Sequence, residues 1–225
     1  MPGMNVEFPS NSGVAPGYLA TPASGSGPAL VVVQEWWGLQ PEIKQICDRY
    51  AAEGFFALAP DLYRGETTDQ PSEAEQKLMA FNIERAEQDL RGAVDFVAER
   101  AGVDEVGSTG YCIGGALCLF AASLNPKVAA TASFYYVFPH KKPDFSRIEG
   151  PVLMHFGTAD DFISVDAAKA LVDEVAAAGV DVSAEFYEGV GHAFCNTANR
   201  LGTYDSEAAE LAWSRTIEFF RKNLS

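Results

Sequence analysis

The stretch Val106-Gly-Ser-Thr-Gly-Tyr-Cys-Ile-Gly-Gly115 decides how the fold is interpreted. Val106 to Tyr111 predicts a short strand, and the apolar run from Gly114 to Leu124 predicts a helix. Cys112 lies in the turn between them, with one glycine two residues before it and another two residues after it. A nucleophile in a sharp strand–turn–helix connection between small residues is typical of a nucleophile elbow. The stretch therefore predicts a strand–helix unit with a reactive thiol in its turn.

Strands and helices alternate on both sides of this unit. The continuous β-branched run over residues 29–34 predicts a buried strand, and further strands are predicted over residues 55–59, 106–111, 128–134, 151–156 and 182–187. Helices are predicted over residues 41–53, 72–100, 114–124, 165–178 and 205–222, the second of them starting at a capping box formed by Ser72 and Glu75. Residues 4–28, rich in Gly, Pro and Ser, indicate one or two short strands. This alternation predicts an α/β fold with a mostly parallel sheet and helices on both faces, in one domain over residues 1–225.

Charge and composition exclude several classes of function. The chain has 31 acidic and 16 basic residues, so its formal net charge is -15. A nucleic-acid binder or a protein of anionic membrane surfaces needs a basic surface, which this sequence does not provide. Met1 to Asn5 lack the features of a signal peptide, and the four cysteines lack the paired spacing of a zinc site. We expect a cytoplasmic protein without metal or cofactor, acting as a monomer or small homo-oligomer on a small molecule.

Two further reactive residues follow predicted strands, at the edge of the sheet where α/β proteins bind ligands. Asp160 follows the strand over 151–156, with Asp161 as its rival, and His192 follows the strand over 182–187. Taken singly, Asp160 could be a turn residue, His192 a structural histidine and Cys112 a buried structural cysteine. Together they give the order nucleophile, acid, base that α/β-hydrolases show. This order favours a catalytic reading.

The remaining candidates are weighed in the same way. Glu35 lies between an apolar strand and two tryptophans, so we expect it to be partly buried with a raised pKa rather than a surface acid. Cys118 and His155 lie inside a predicted helix and a predicted strand, where packing roles are expected. His140 has no comparable setting.

Five segments carry a resemblance to a known family. They are Val33-Gln-Glu-Trp-Trp-Gly38, Gly54-Phe-Phe-Ala-Leu-Ala-Pro-Asp-Leu-Tyr63, Gly110-Tyr-Cys-Ile-Gly-Gly115, Gly157-Thr-Ala-Asp160 and Tyr187-Glu-Gly-Val-Gly-His-Ala-Phe194. In this order they resemble the dienelactone hydrolase family of α/β-hydrolases. The resemblance implies Cys112 as nucleophile, His192 as base and Asp160 as the acid that orients it. It also implies an oxyanion hole made by the backbone N–H groups of Trp36 and Ile113.

The resemblance further places Glu35 beside the thiol, where its carboxylate could accept a hydrogen bond and keep Cys112 protonated at rest. It implies a pocket lined by Tyr135 and Tyr136, with Phe194 and Asn196 as further candidate substrate contacts.

Family members that act on dienelactone hold its carboxylate with arginines, one of them shortly after the catalytic histidine. Asn196 stands at that place here, with Arg85 and Arg200 as candidate substitutes. The sequence therefore predicts hydrolysis of an ester or lactone, of the dienelactone or carboxymethylenebutenolide kind, through an acyl-enzyme. The alternatives are a general carboxylesterase or thioesterase and, from another class, a non-catalytic thiol sensor on the same scaffold.

Overall fold

The alternating pattern of the sequence corresponds to one mixed sheet. The computed structural model describes residues 3–10, 13–137 and 141–224, so His140 lies outside the described residues. Within them, eight strands form a sheet with the order β1-β2-β4-β3-β5-β6-β7-β8. The strands are β1 Met4–Ser10, β2 Gly13–Ala20, β3 Ala29–Val33, β4 Phe56–Pro60, β5 Val106–Tyr111, β6 Val128–Phe134, β7 Val152–Gly157 and β8 Val182–Tyr187. Only the pairings of β2 with β1 and with β4 are antiparallel, so the predicted, mostly parallel sheet is confirmed.

Helices cover both faces of this sheet. They are α1 Pro41–Ala52, α2 Pro71–Met79, α3 Ile83–Ala101, α4 Ile113–Leu124, α5 Val165–Ala177 and α6 Ser206–Asn223. Side chains of α3, α4 and α5 belong to one buried apolar cluster, and those of α1 and α6 belong to another. The central strands β3 and β5 are buried along their whole length. This explains why β3 is apolar throughout rather than alternating, while in β5 the buried hydroxyl of Ser108 donates to the carbonyl of Cys118. No helix within the described ranges is both long enough and apolar enough to cross a bilayer.

The prediction of one long helix from residue 72 to 100 is wrong, because the chain forms two helices there. Asn82 separates them, since its side chain accepts a hydrogen bond from the backbone N–H of Arg85 at 2.8 Å and caps α3. The capping box expected at Ser72 is also wrong: the N-cap of α2 is Gln70, which makes no side-chain cap bond. Thr68 accepts from the N–H of Gln70 and donates to Glu73 instead. Asparagine is among the best N-cap residues, and this explains why a new helix, α3, begins after Asn82.

Candidate active site

Cys112 occupies a strained turn between β5 and α4. Its backbone has φ 59° and ψ -119°, a left-handed conformation that residues other than glycine rarely adopt. Its N–H donates to the carbonyl of Phe134 at 3.1 Å, and its own carbonyl accepts from the N–H groups of Gly115 and Val137 at 2.9 and 3.2 Å. Such a conformation costs about 1–3 kcal/mol and persists only where the surroundings hold it. The hydrogen bonds to β6 and α4 provide that hold.

The glycines around Cys112 allow this turn to pack closely. A Cβ atom at Gly110 would lie 2.0 Å from the carbonyl oxygen of Gly114, and one at Gly114 would lie 2.4 Å from the carbonyl oxygen of Val33. Both distances are far below van der Waals contact, and both clashes are with backbone atoms. The small residues of the elbow are therefore required by the approach of β3, β5 and α4.

His192 and Asp160 form a buried pair. The imidazole Nδ1 lies 2.8 Å from Asp160 Oδ2, and the two side chains are 2% and 0% exposed. The other carboxylate oxygen of Asp160 accepts from the N–H groups of Phe162 and Ile163 at 2.7 and 3.0 Å. Asp161 is exposed and makes no such contact. Asp160 is therefore held in one orientation, and it is the acid that bonds the histidine.

The electrostatic neighbours of His192 favour its charged form. Burial works against an imidazolium, but Cys112 and the hydrogen bond to Asp160 outweigh it and raise the pKa of His192 to about 10. Nε2 is buried and has no hydrogen-bond partner in the described part of the chain. The ring is thus fixed through one nitrogen, and the other is free for proton transfer.

Two backbone N–H groups near the turn are also free. Ile113 is the first residue of α4, where a helix leaves its N–H groups without intrahelical acceptors. Trp36 lies in the turn that follows β3. Neither N–H has an acceptor among the described residues. Unpaired donors of this kind can stabilise negative charge that develops on a carbonyl oxygen.

Glu35 is buried, with 3% of its surface exposed. One carboxylate oxygen accepts from the Tyr135 hydroxyl at 3.0 Å, and the other accepts from Nδ2 of Asn196. Burial raises the pKa of Glu35, although Asn196, the charge of His192 and Tyr135 all act to lower it. The expected hydrogen bond from the Cys112 thiol to Glu35 is not present among the described residues; the carboxylate is bonded there by Tyr135 and Asn196.

The four predicted substrate contacts divide into two groups. Tyr135 and Asn196 reach the site through Glu35, and the Tyr135 ring also lies edge-on to His192 with 5.1 Å between ring centroids. Tyr136 packs on the α4 side of the sheet, where Glu174 and Cys118 are its electrostatic neighbours. Phe194 is fully buried against Tyr135 and Tyr187. These last two are core residues in the structure.

Sequence reasoning missed two aromatic residues near the reactive groups. The Phe162 ring lies over His192 with 4.3 Å between centroids and edge-on to Trp36 at 5.8 Å, while 48% of the residue stays exposed. The Tyr63 hydroxyl is buried without a partner among the described residues, and burial together with the charge of Cys112 raises its pKa. Phe162 follows the end of β7, and Tyr63 follows the end of β4. This position after a strand is the sequence feature that could have identified them as candidate site residues.

Arg200 and Arg85, the two candidate substitutes for the carboxylate-binding arginines, lie in different surroundings. Arg200 pairs with Glu42 at 3.3 Å and with Asp69 at 2.7 Å, and its guanidinium lies over the Trp37 ring. Arg85 is exposed at the start of α3 and lines a groove of about 270 Å³ with Tyr63. Arg200 is therefore already neutralised. Across residues 3–10, 13–137 and 141–224, no group of three or more His, Cys, Asp or Glu side chains could hold a metal ion.

The order of the sheet and the position of the reactive turn define the class of protein. Cys112 follows the central strand β5, Asp160 follows β7 and His192 follows β8, so all three lie where the parallel strands end. An eight-stranded mixed sheet with this arrangement is the α/β-hydrolase fold.

Comparison with known sequences then gives the family. A sequence profile of the dienelactone hydrolase family matches residues 15–224, and the chain belongs to that family. Its members are hydrolases of esters and lactones, and the chain is an enzyme of this kind.

Individual relatives are similar to this chain over nearly their full length. The protein usf of Aquifex pyrophilus is 38% identical over 99% of this chain and 100% of the relative. Carboxymethylenebutenolidase 1 of Cupriavidus pinatubonensis is 30% identical over 95% of this chain and 94% of its own. Among solved structures, a dienelactone hydrolase-like promiscuous phosphotriesterase from metagenomic libraries superposes with a TM-score of 0.87. It covers 99% of this chain and 98% of that one, and at 22% identity it supports the fold alone.

Proposed function

We propose that the protein hydrolyses an ester or lactone through a Cys112–His192–Asp160 triad and a thioester acyl-enzyme. The observation that carries the proposal is the buried His192–Asp160 pair. Nε2 of His192 has no hydrogen-bond partner among the described residues, and Cys112 is the largest of the contributions that raise the pKa of His192. An imidazolium next to a cysteine stabilises the thiolate, which is the nucleophilic form of the thiol.

Acylation would proceed in two steps, attack on the carbonyl carbon and collapse of the tetrahedral intermediate. The Cys112 sulfur attacks the carbonyl carbon, and the π electrons move to the carbonyl oxygen, which accepts hydrogen bonds from the N–H groups of Trp36 and Ile113. The intermediate collapses, the bond to the alcohol or enol oxygen breaks, and His192 gives its proton to the departing oxygen. Each oxyanion donor is worth about 3 kcal/mol in comparable sites.

Deacylation would restore the starting state. Neutral His192 takes a proton from water, and the resulting hydroxide attacks the thioester carbonyl. The carbon–sulfur bond breaks, the carboxylic acid leaves, and the thiolate and imidazolium are regenerated. Asp160 keeps the ring oriented and stabilises its charge in both steps, as the buried acid does in other triads.

The substrate proposed first is a lactone of the dienelactone or carboxymethylenebutenolide kind, because the family and a named relative point to it. The second candidate is a general carboxylesterase or thioesterase activity on an uncharged substrate. Two observations favour the second: Asn196 is engaged with Glu35, and Arg200 is neutralised by Glu42 and Asp69.

We also propose a cytoplasmic location and a small-molecule partner. All four cysteines lie within the described residues and are free, which suits a reducing compartment. The chain would act as one domain, in a monomer or small homo-oligomer.

The test is Cys112→Ala with Cys118→Ala as the matched control. Cys118 is a second buried cysteine, six positions along the same segment, whose thiol bonds the carbonyl of Gly115 within α4. We expect Cys112→Ala to lower kcat/KM for activated esters at least about a thousandfold, since it removes the nucleophile, while Cys118→Ala stays within a few-fold of wild type. Mass spectrometry of quenched wild-type reactions should find the acyl group on Cys112.

Two outcomes would contradict the proposed mechanism, and a substrate panel separates the two substrate candidates. Full activity in Cys112→Ala would overturn the triad. A Cys112 that oxidises but never carries an acyl group would indicate the thiol sensor instead. A panel holding an anionic lactone, neutral esters and thioesters decides between the two substrate candidates by their kcat/KM values.

A further inference from the structure

Glu35 is held by two donors that belong to different parts of the fold. Tyr135 follows β6, and Asn196 lies in the loop after β8, 161 residues from Glu35 in the sequence. Each donates to a different oxygen of the carboxylate. With both oxygens accepting hydrogen bonds, the charged form of Glu35 is the one that this geometry satisfies.

Asn196 is itself fixed in orientation. Its Oδ1 accepts from the N–H of Ala198 at 3.0 Å, so Nδ2 is the atom left to face Glu35. Its backbone N–H donates to the carbonyl of Ala193 at 2.8 Å. The residue is 8% exposed. The amide therefore acts as a rigid donor rather than a mobile surface group.

Tyr135 is fixed as well, and it touches both Glu35 and the base. Its backbone has φ 36°, and its N–H donates to the carbonyl of His155 at 2.7 Å. The hydroxyl reaches Glu35 while the edge of the ring lies against His192. Tyr135 thus sets the distance between the carboxylate and the imidazole.

We propose that Tyr135 and Asn196 are positioning residues that hold Glu35 beside His192, where its negative charge assists the imidazolium. We call the two donors the Glu35 clamp. The inference rests on the proposed function, since it concerns the same His192. It gives Glu35 a role that acts through the base and not through a hydrogen bond to the thiol.

Other titratable and charged groups among the described residues also act on Glu35 and His192. His192 and Arg200 act on Glu35 as positive charges, and the titratable Tyr135 and Cys195 lie on its other sides. Cys112 and Asp160 face His192. Because the effect of one charge on another is mutual, the charge of His192 that lowers the pKa of Glu35 implies an equal effect of Glu35 on His192.

Asn125 offers a matched control for Asn196. It is also 8% exposed, its Oδ1 also accepts from the N–H two residues later, that of Lys127 at 3.1 Å, and its Nδ2 also donates to a carboxylate, that of Asp95 at 3.2 Å. Its setting lies at the end of α4, away from Cys112. The substitutions Asn196→Ala and Asn125→Ala therefore remove the same contacts in two places.

The decisive measurement is the pKa of His192, read by NMR of ¹⁵N-labelled imidazole. The chain has three histidines, which makes assignment practicable. We expect Asn196→Ala to lower the pKa of His192 by about half to one unit, because burial already raises the pKa of Glu35 and a carboxylate that loses a hydrogen-bond donor is more readily protonated. Tyr135→Phe should shift it in the same direction, and Asn125→Ala should leave it unchanged. kcat should fall roughly three- to tenfold in Asn196→Ala with KM within about twofold.

A double-mutant cycle closes the argument. In a Glu35→Gln background the neutral amide carries no charge to position, so adding Asn196→Ala should give no further shift of His192. The proposal is overturned if Asn196→Ala shifts His192 no more than Asn125→Ala does, or if the shift persists in Glu35→Gln. Because the NMR readout needs no ester, this result stands apart from the Cys112→Ala test of the proposed function.

Discussion

Two buried histidines of this chain have pKa values that are shifted in opposite directions. His155 lies in β7 and is fully buried, and His192 lies in the loop after β8 and is 2% exposed. Burial, helped by the charge of Arg215, lowers the pKa of His155 to about 3. The same desolvation acts on His192, yet Cys112 and Asp160 raise its pKa to about 10. The depth of burial therefore does not decide the direction in which the pKa of a histidine shifts in this chain.

The hydrogen bonds of the two rings explain the difference. Thr216 donates its hydroxyl proton to the carbonyl of Ala212, so it must accept from Nε2–H of His155 at 2.9 Å. Nδ1 of the same ring then accepts from the Tyr187 hydroxyl at 2.9 Å. A neutral imidazole satisfies both contacts. His192 has a carboxylate on one nitrogen and no partner on the other within the described residues, which leaves a proton-transfer position open.

The largest expected effect in this comparison is the loss of activity in His192→Gln. The amide keeps much of the side-chain volume but has no basic nitrogen, so it can neither stabilise the thiolate nor activate water. Removal of a triad member costs about 10⁴- to 10⁶-fold in comparable serine enzymes. The measurement is kcat/KM for an activated ester at neutral pH. Activity within tenfold of wild type in His192→Gln would break the distinction between the two histidines.

The positions of Cys112, Asp160 and His192 could be predicted because topology decides them. Cys112, Asp160 and His192 each follow a strand, and the carboxyl ends of parallel strands meet at one edge whatever the details of packing. The Gly-rich turns around Cys112 and His192 add a local signal. The same reasoning, applied to the ends of β4 and β7, could have included Tyr63 and Phe162, which carry no motif of their own.

The direction of individual side chains could not be predicted in the same way. Tyr135 and Tyr136 are adjacent residues just after β6, yet they belong to the two different buried clusters that cover opposite faces of the sheet. The local sequence does not show which face of the sheet holds the site. In the structure the Tyr135 hydroxyl donates to Glu35, whereas Tyr136 packs in the core around α4. The contact between Glu35 and Asn196 joins residues 161 positions apart and depends on the final packing.

A second expected effect is a loss of stability without loss of chemistry in His155→Phe. The phenyl ring keeps the stacking on Phe134, where the ring centroids are 4.4 Å apart, but it leaves the Tyr187 hydroxyl without its acceptor. An unsatisfied buried donor costs about 1–3 kcal/mol. Urea unfolding should show that decrease, while kcat/KM stays within a few-fold of wild type. A large fall in activity with unchanged stability would instead connect His155 to the site.

The smallest effect, and the most specific, is the response of stability to mild acid. The pKa of His155 in the folded chain lies below the ordinary 6.5, so its contribution is present above pH 6.5 and is lost as the pH falls towards 3. The folded pKa of His192 lies above 6.5, so its contribution is fully present below pH 6.5 and is lost as the pH rises towards 10. Between pH 7 and pH 5.5 each term changes by about 1 kcal/mol, with opposite signs.

Substitution of His155 isolates its term, because its hydrogen-bond partners Tyr187 and Thr216 do not titrate in this range. His192→Gln would also change the ionisation of Cys112, to which His192 is coupled, so it does not isolate the second term. Acidification from pH 7 to pH 5.5 should therefore favour His155→Phe over wild type by about 1 kcal/mol. Urea unfolding of both proteins at both pH values gives the comparison, and titrations elsewhere in the chain cancel because they are shared. An equal loss of stability in the two proteins on acidification would show that His155 keeps an ordinary pKa in the folded chain.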